Sequence, residues 1–144
     1  FPVGSHGIVG YMINIFSVFS DWGLVVLRLV FAAIFIAHGW PKIKNLKGTG
    51  EWMASIGIKP GVFWATVVGL TETFGAALIA LGLGVQFLAI AFVIDMIVAM
   101  SWRIRSGHKL VGGYEIDLLL LTVALFLVVN GGGLYSLDHY WNLI

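Results

Sequence analysis

The sequence predicts an all-α integral membrane protein, an antiparallel bundle of four transmembrane helices with an additional N-terminal interfacial helix. Three observations predict this fold class: 60% of the 144 residues are hydrophobic, only 10% are charged, and the mean hydropathy is +1.00. A water-soluble domain of this length needs more polar residues to cover its surface. The predicted surroundings of the chain are therefore a lipid bilayer.

The N-terminal segment, residues 1–21, is predicted to be separate from the four-helix domain of residues 22–144. Its apolar residues recur at helical spacing, which predicts a helix lying in the membrane interface. They are Ile8, Met12, Ile15, Phe16 and Phe19. Ser20 and Asp21 can accept hydrogen bonds from backbone N–H groups, so they are expected to end this helix and to cap the next one.

Four segments approach the length of about 20 apolar residues that a spanning helix needs. They are residues 22–40, 62–83, 86–102 and 116–130, and the last is short. Gly39 and Pro41 are expected to end the first span, because proline lacks a backbone donor. Only a short glycine-containing turn at residues 82–85 separates the second and third spans, which predicts an antiparallel hairpin.

The positive charges predict the orientation of the bundle. Every lysine and arginine except Arg28 lies in residues 41–61 or 103–114, the loops after the first and third spans. Cytoplasmic loops carry an excess of Lys and Arg, so both loops are predicted to be cytoplasmic. The chain is then a multi-pass protein of the plasma membrane with both termini external.

Several kinds of chemistry are excluded or disfavoured by composition. Without cysteine, this chain offers no disulfide, thiolate nucleophile or Cys-ligated metal or iron–sulfur site, and no metal site is predicted. Only one of four histidines lies in a predicted span, so paired histidine ligands for haem are not expected. A net charge of +1, without basic clusters interleaved with aromatics, argues against nucleic acid. Redox chemistry would need a bound cofactor or another subunit.

Ionisable residues inside or at the edge of the spans are the candidate functional residues. They are Arg28, His38, Glu72, Asp95, Glu115 and Asp117. A charge in hydrocarbon costs several kcal/mol, so such groups are expected to face the bundle interior and to find partners. Arg28 is predicted to reach Glu72 or Asp95 near mid-membrane, as an intramembrane ion pair or proton relay. The other carboxyl then remains in excess, and burial favours its protonated form.

An inward-facing stripe is predicted on the first helix, whose members step by three or four residues. They are Arg28, Phe31, Phe35, His38 and Lys42. Histidine is the side chain that most often exchanges protons at neutral pH, and His38 is expected at the cytoplasmic end, so His38 and Glu115 are the predicted catalytic residues. A quinone, the cofactor suggested here, is predicted to bind near His38, Lys42, Tyr114 and Asp117. The alternative is that the charged residues only hold the helices together.

Several ordered motifs resemble the DoxX family of four-helix membrane proteins, over residues 24–138. They are AHGWPK, SIGIKPG, GLTETFGAALIALGL, Asp95, GGYEIDLLLL and LYSLD. The resemblance implies a four-span bundle and, for the namesake members, a membrane subunit of thiosulfate:quinone oxidoreductase. Other members are linked to membrane oxidoreductase assemblies or have no defined activity. The family pattern falls on Arg28, His38, Gly39, Lys42, Glu72, Gly75, Gly113, Tyr114, Glu115 and Asp138.

Two functional hypotheses follow. The chain is either a quinone-linked oxidoreductase subunit that binds quinone and supplies protons, or a non-catalytic accessory subunit that stabilises a larger membrane complex. Without cysteine or paired histidine ligands it is not a complete electron-transfer enzyme on its own. Both hypotheses therefore require other subunits of a membrane complex.

Overall fold

The computed structural model describes residues 7–141, with side chains from residue 19 onward, and this part contains helices and no strand. Four helices are long and apolar enough to cross a membrane, which confirms the predicted fold class. Their spans are Phe19–Lys44, Gly61–Leu81, Val85–Arg105 and Leu110–Asn130. The interfacial placement predicted for residues 1–21 rests mostly on side chains before residue 19, which lie outside the described ones, and it stays a prediction.

The first helix, α1 (Gly7–Lys44), is longer than predicted at both ends. It runs through Ser20 and Asp21 without a break, so the predicted end and cap there are wrong; polar residues are tolerated in a helix when the backbone ladder continues. It also includes Pro41. Proline removes only its own backbone donor, and the carbonyl of Pro41 still accepts from the N–H of Asn45 at 3.1 Å. The first span therefore ends at Lys44.

A short helix, α2 (Leu46–Ser55), follows α1 directly. The carboxamide of Asn45 accepts from the N–H of Gly48 at 3.1 Å and caps the start of α2. The next span consists of α3 (Gly61–Leu70), a π-helical turn (Thr71–Gly75) and α4 (Ala76–Leu81). The helix α5 (Val85–Arg105) returns after the predicted tight turn. A kinked segment (Leu110–Tyr114), in which Val111 and Gly112 have non-helical backbone angles, leads into α6 (Glu115–Asn130).

The centre of the bundle is a layer of aromatic side chains from α1 and α5. Phe31, Phe35 and Phe92 are almost fully buried, and their ring centroids lie 4.4–5.2 Å apart. Small buried residues surround the layer and let the helices approach closely. They include Ala32, Ala76, Ala89 and Ala124. The layer separates two polar regions of the bundle.

We call the two ends of the bundle the hairpin end and the loop end. The hairpin end holds the α4–α5 turn and residues 131–141, including the short helix α7 (Leu137–Tyr140). There the carboxylate of Asp138 accepts from the N–H groups of Gly84 (2.7 Å) and Val85 (3.0 Å), which fastens the C-terminal segment to the start of α5. The loop end holds residues 45–60 and 106–114. Which end is cytoplasmic stays a prediction.

Candidate functional site

Lys42 and Glu72 form a close ion pair inside the loop-end half of the bundle. The Nζ atom of Lys42 lies 2.6 Å from Oε1 and 2.5 Å from Oε2 of Glu72. Glu72 is 3% exposed, whereas the side chain of Lys42 is 29% exposed. Helical side chains lean toward the N-terminus of their helix, so Lys42, near the end of α1, extends back into the bundle. The carboxylate that the sequence analysis assigned to Arg28 is therefore paired with Lys42.

The same lean takes Arg28 in the direction of the hairpin end, away from both mid-span carboxyls. Its Nη2 atom donates to the carbonyl of Tyr135 at 2.6 Å, and Arg28 is only 1% exposed. Its electrostatic partner is Asp138. The structure thus corrects the predicted pairing with Glu72 or Asp95. The prediction used the depth of the Cα atom and left the direction of the side chain open.

The backbone around Glu72 is unusual, because the residue lies on the π-helical turn. Such turns insert one extra residue into a helix and occur frequently at functional sites. Gly39 of α1 packs against this turn so closely that a Cβ atom there would come within 2.6 Å of both the Cβ of Glu72 and the Oγ1 of Thr73. The close packing of Gly39 against the turn sets the distance between α1 and Glu72. It therefore also sets the distance that the side chain of Lys42 must span to reach the carboxylate.

A second carboxyl group, from Asp95 on α5, lies beside Glu72. The two side chains are within hydrogen-bonding reach, and Lys42 also acts electrostatically on Asp95. The Oδ2 atom of Asp95 is buried and has no hydrogen-bond partner among the described residues. A carboxylate only accepts hydrogen bonds, so two carboxyl groups can bond to each other only when one carries a proton. Glu72 and Asp95 are therefore suited to share a proton.

A third carboxyl group, Asp117 of α6, is paired with Arg103 of α5. The Nε atom of Arg103 lies 2.8 Å from Oδ2 of Asp117, as an electrostatic contact rather than an aligned hydrogen bond. Nη1 of the same guanidinium donates to the carbonyl of Gly113 at 3.1 Å. Asp117 also interacts electrostatically with His38 and Lys42.

We call these five residues the polar cluster. The cluster combines three carboxyl groups with two cationic groups. Its members are Lys42, Glu72, Asp95, Arg103 and Asp117. With every group ionised, one negative charge is in excess, and a bound proton would remove that excess.

His38 lies at the surface of the bundle instead of completing an inward stripe. Phe31 and Phe35 of that stripe are buried as predicted, but His38 is exposed. Its Nδ1 atom is 2.8 Å from the carbonyl of Ile34. A carbonyl only accepts, so Nδ1 carries the hydrogen, and the Nε2 atom of the neutral ring is left as a basic acceptor. Nε2 has no partner among the described residues.

Glu115 and Tyr114 lie at the start of α6. Glu115 is exposed, and its Oε2 atom accepts a hydrogen bond from the backbone N–H of Gly112 at 2.9 Å. The carboxylate therefore binds the backbone of the loop that precedes α6. Tyr114 is half-buried. The structure does not join Glu115 to His38, and the group near His38 on α6 is Asp117.

Arg103 is the site residue that the sequence analysis missed, because it was counted only as a loop charge. A usable signal was present: Asp95, Ala99 and Arg103 are spaced by four residues, which places them along one face of a helix. Extending that face by one residue beyond the predicted end of the span would have identified Arg103 as a partner for a buried acid.

Comparisons with known proteins find one family model and three relatives. The DoxX family model matches residues 23–104, which include four of the five polar-cluster residues. "Putative oxidoreductase CatD" of Bacillus subtilis (strain 168) is 29% identical over 118 residues, 82% of this chain and 86% of the relative. "Inner membrane protein YphA" of Escherichia coli (strain K12) is 34% identical over 124 residues, 81% of this chain and 88% of the relative. "Inner membrane protein YqjF" of the same strain is 29% identical over 126 residues, 85% and 95% of the two chains.

No solved structure matches the chain. The family model nevertheless covers more than half of the sequence, and the relatives align with most of it. The resemblance stated from sequence motifs is thereby confirmed, and this chain belongs to the DoxX family.

Proposed function

We propose that this chain is the membrane subunit of a quinone-linked oxidoreductase in the plasma membrane, and that its polar cluster exchanges protons with the quinone while another subunit supplies electrons. One observation carries the proposal: the unpartnered, buried oxygen of Asp95 lies beside the Lys42–Glu72 ion pair. The name of the relative CatD supports an oxidoreductase, and the names of YphA and YqjF support the inner membrane.

The cluster has the charge and the connections that a proton-exchange site needs. Its excess carboxyl can hold a proton, and the side chains of Lys42 and Arg103 are 29% and 39% exposed, so the cluster reaches the bundle surface. Asp117 interacts with both His38 and Lys42. We infer a proton route between Asp95 and Glu72 inside and His38 outside, which uses groups that can hold or release protons.

Of the residues predicted to bind a quinone, His38 is the one best placed to contact a headgroup. Lys42 and Asp117 are engaged in ion pairs, whereas Nε2 of His38 is available at the surface of α1. A headgroup would thus dock from the lipid side beside His38, and when bound it supplies the two-electron redox chemistry. The Nε2 atom of His38 would accept a hydrogen bond and then a proton from the hydroxyl of a quinol, and as an imidazolium His38 would donate a proton to the carbonyl of a quinone.

A second candidate is the accessory subunit, which the packing of the bundle centre favours. The layer of Phe31, Phe35 and Phe92 fills the space between α1 and α5, as in a bundle built for rigidity. In that case the polar cluster holds helices together, and removal of its titratable groups affects assembly before it affects turnover.

Replacing Asp95 with asparagine tests the proposal. We expect quinone-dependent turnover of the assembled complex to fall about 10²-fold, because the amide keeps the shape but cannot carry the exchanged proton. Glu51→Gln is the matched control, since Glu51 is an exposed carboxylate on α2 outside the cluster, and it should leave turnover unchanged. Unchanged turnover in Asp95→Asn, with assembly verified by co-purification, would favour the accessory subunit.

Replacing His38 with glutamine tests the surface end of the route. The amide keeps hydrogen-bonding capacity but does not titrate, so we expect quinone reduction to fall by about 10²-fold with assembly preserved. Turnover and subunit composition are measured on the same preparation. Normal turnover in His38→Gln, together with failed assembly in His38→Leu, would assign His38 a structural role.

A further inference from the structure

The hairpin end contains an open cavity of about 310 Å³ on the opposite side of the aromatic layer from the polar cluster. Its wall is formed by the end of α6, the glycine turn that follows it, the start of α5 and the C-terminal segment. The polar side chains of the wall are Gln86, Asn130, Ser136, Asp138 and His139. A water molecule occupies about 30 Å³ of liquid, so the cavity has room for several waters or one small polar molecule.

Three successive glycines, residues 131–133, keep one side of the cavity free of side chains. Gly131 has φ 65° and ψ −155°, a conformation that is essentially restricted to glycine. Backbone that approaches a ligand closely is commonly built from such residues. The turn is also fixed in place, because Oγ of Ser136 donates to the carbonyl of Gly133 at 2.6 Å. The cavity is therefore a built feature of the fold and not a gap between loose loops.

The side-chain amides of the wall keep both acceptors and donors for a ligand. The Nε2 atom of Gln86 donates to the carbonyl of Val128 at 2.9 Å, and Nδ2 of Asn130 donates to the carbonyl of Phe126 at 2.9 Å. Since a carbonyl can only accept, both amide orientations are determined, and each amide keeps its oxygen and its second N–H hydrogen for other bonds. Such a wall matches an uncharged ligand whose groups both donate and accept hydrogen bonds, as hydroxyl groups do.

The negative charge of Asp138 in the wall is already compensated. Both oxygens of Asp138 accept backbone N–H groups at the start of α5, and Arg28 interacts with Asp138 electrostatically. A cationic ligand therefore gains little from Asp138, while an anionic one meets oxygen acceptors and a carboxylate. An uncharged donor group suits this surface better than either.

We propose that the hairpin-end cavity binds an uncharged, hydroxyl-rich group of glycerol size, whose hydroxyls donate to Gln86 and Asn130. Two sources share this chemistry: the terminal glycerol of a phosphatidylglycerol headgroup and a free small polyol. The site is separate from the polar cluster, and its test does not depend on quinone turnover.

The test compares hydroxylated probes with their methyl ethers on the full chain in phosphatidylcholine nanodiscs. The free-polyol arm measures glycerol against its trimethyl ether by saturation-transfer NMR, and the lipid arm measures phosphatidylglycerol against the same lipid with both headgroup hydroxyls methylated by native mass spectrometry. We expect the hydroxylated probe to bind about tenfold more tightly in at least one arm, because methylation removes the donors. The arm that responds identifies the source.

Variants of α6 test whether the preference for the hydroxylated probe arises from binding in the cavity. Asn130→Leu should weaken the hydroxylated probe about fivefold, because it removes the amide that bonds the probe. Thr122→Val is the matched control: it removes a similar bond to a carbonyl four residues earlier on α6, Thr122 to Leu118 at 2.9 Å, away from the cavity. Equal binding of alcohols and ethers, which means a cavity filled by water only, overturns the proposal, and so does equal weakening by Thr122→Val.

Discussion

Replacing Lys42 with methionine should lower the free energy of unfolding by about 3–5 kcal/mol, as measured by equilibrium unfolding in mixed micelles. Methionine fills nearly the same volume but removes the ammonium group that lies 2.5–2.6 Å from both oxygens of Glu72. Glu72 is 3% exposed and has Asp95 beside it, so its carboxylate would be left buried and unpaired next to a second acid. Removing one member of a buried pair costs far more than the pair itself contributes.

Two controls identify the ion pair as the cause. Adding Glu72→Gln to Lys42→Met should recover much of the loss, because the unpaired charge is then gone. Lys44→Met, on the same helix, removes an exposed lysine whose Nζ lies 5.3 Å from the ring of Trp40, and should cost about 1 kcal/mol or less. An unaltered unfolding free energy in Lys42→Met would mean that Glu72 is protonated or reached by water.

Replacing Gly82 with alanine should destabilise the bundle by about 2–5 kcal/mol. Gly82 has φ 76°, where an L side chain is strained by roughly 1–2 kcal/mol. A Cβ atom there would also overlap the Nη1 atom of the buried Arg28 and lie 2.5 Å from the Cβ of Ser136. Relieving that overlap requires Arg28 or the C-terminal segment to move, which typically adds 1–3 kcal/mol, roughly the cost of overpacking a core.

Gly84→Ala separates backbone strain from overlap within the same turn. Gly84 also has a positive φ, 63°, but the nearest atom to its added Cβ is Cδ1 of Leu88 at 3.9 Å. It should therefore show only the strain of about 1–2 kcal/mol. Thermal unfolding of both variants makes the comparison, and equal losses would show that Arg28 and Ser136 do not pack against Gly82 as described.

The four spans were predictable because length and hydropathy determine which segments can cross a bilayer. The turn between the second and third spans was also placed correctly, since Gly82 and Gly84 adopt the left-handed conformation that ends α4 and begins α5. The ends of α1 were not predictable in the same way. Ser20, Asp21 and Pro41 are signals of local preference, and a continuing hydrogen-bond ladder outweighed them.

The sequence predicted most residues of the candidate site, but it did not predict which of them pair with each other. Glu72, Asp95 and Asp117 were identified because buried acids are rare in spans, and all three lie in the polar cluster. Their partners depend on the direction of long side chains along the helix axis, which residue spacing alone does not contain. That direction assigns Lys42 to Glu72 and takes Arg28 to Tyr135.

Redox-difference infrared spectroscopy on the purified native complex tests proton exchange by the polar cluster most directly, because protonated carboxyl groups have their own C=O stretching band. Reducing the quinone should change that band in the wild type, with the change lost in Asp95→Asn and retained in Glu51→Gln. A spectrum without a carboxyl change, or one whose change persists in Asp95→Asn, would contradict proton exchange between this cluster and a quinone.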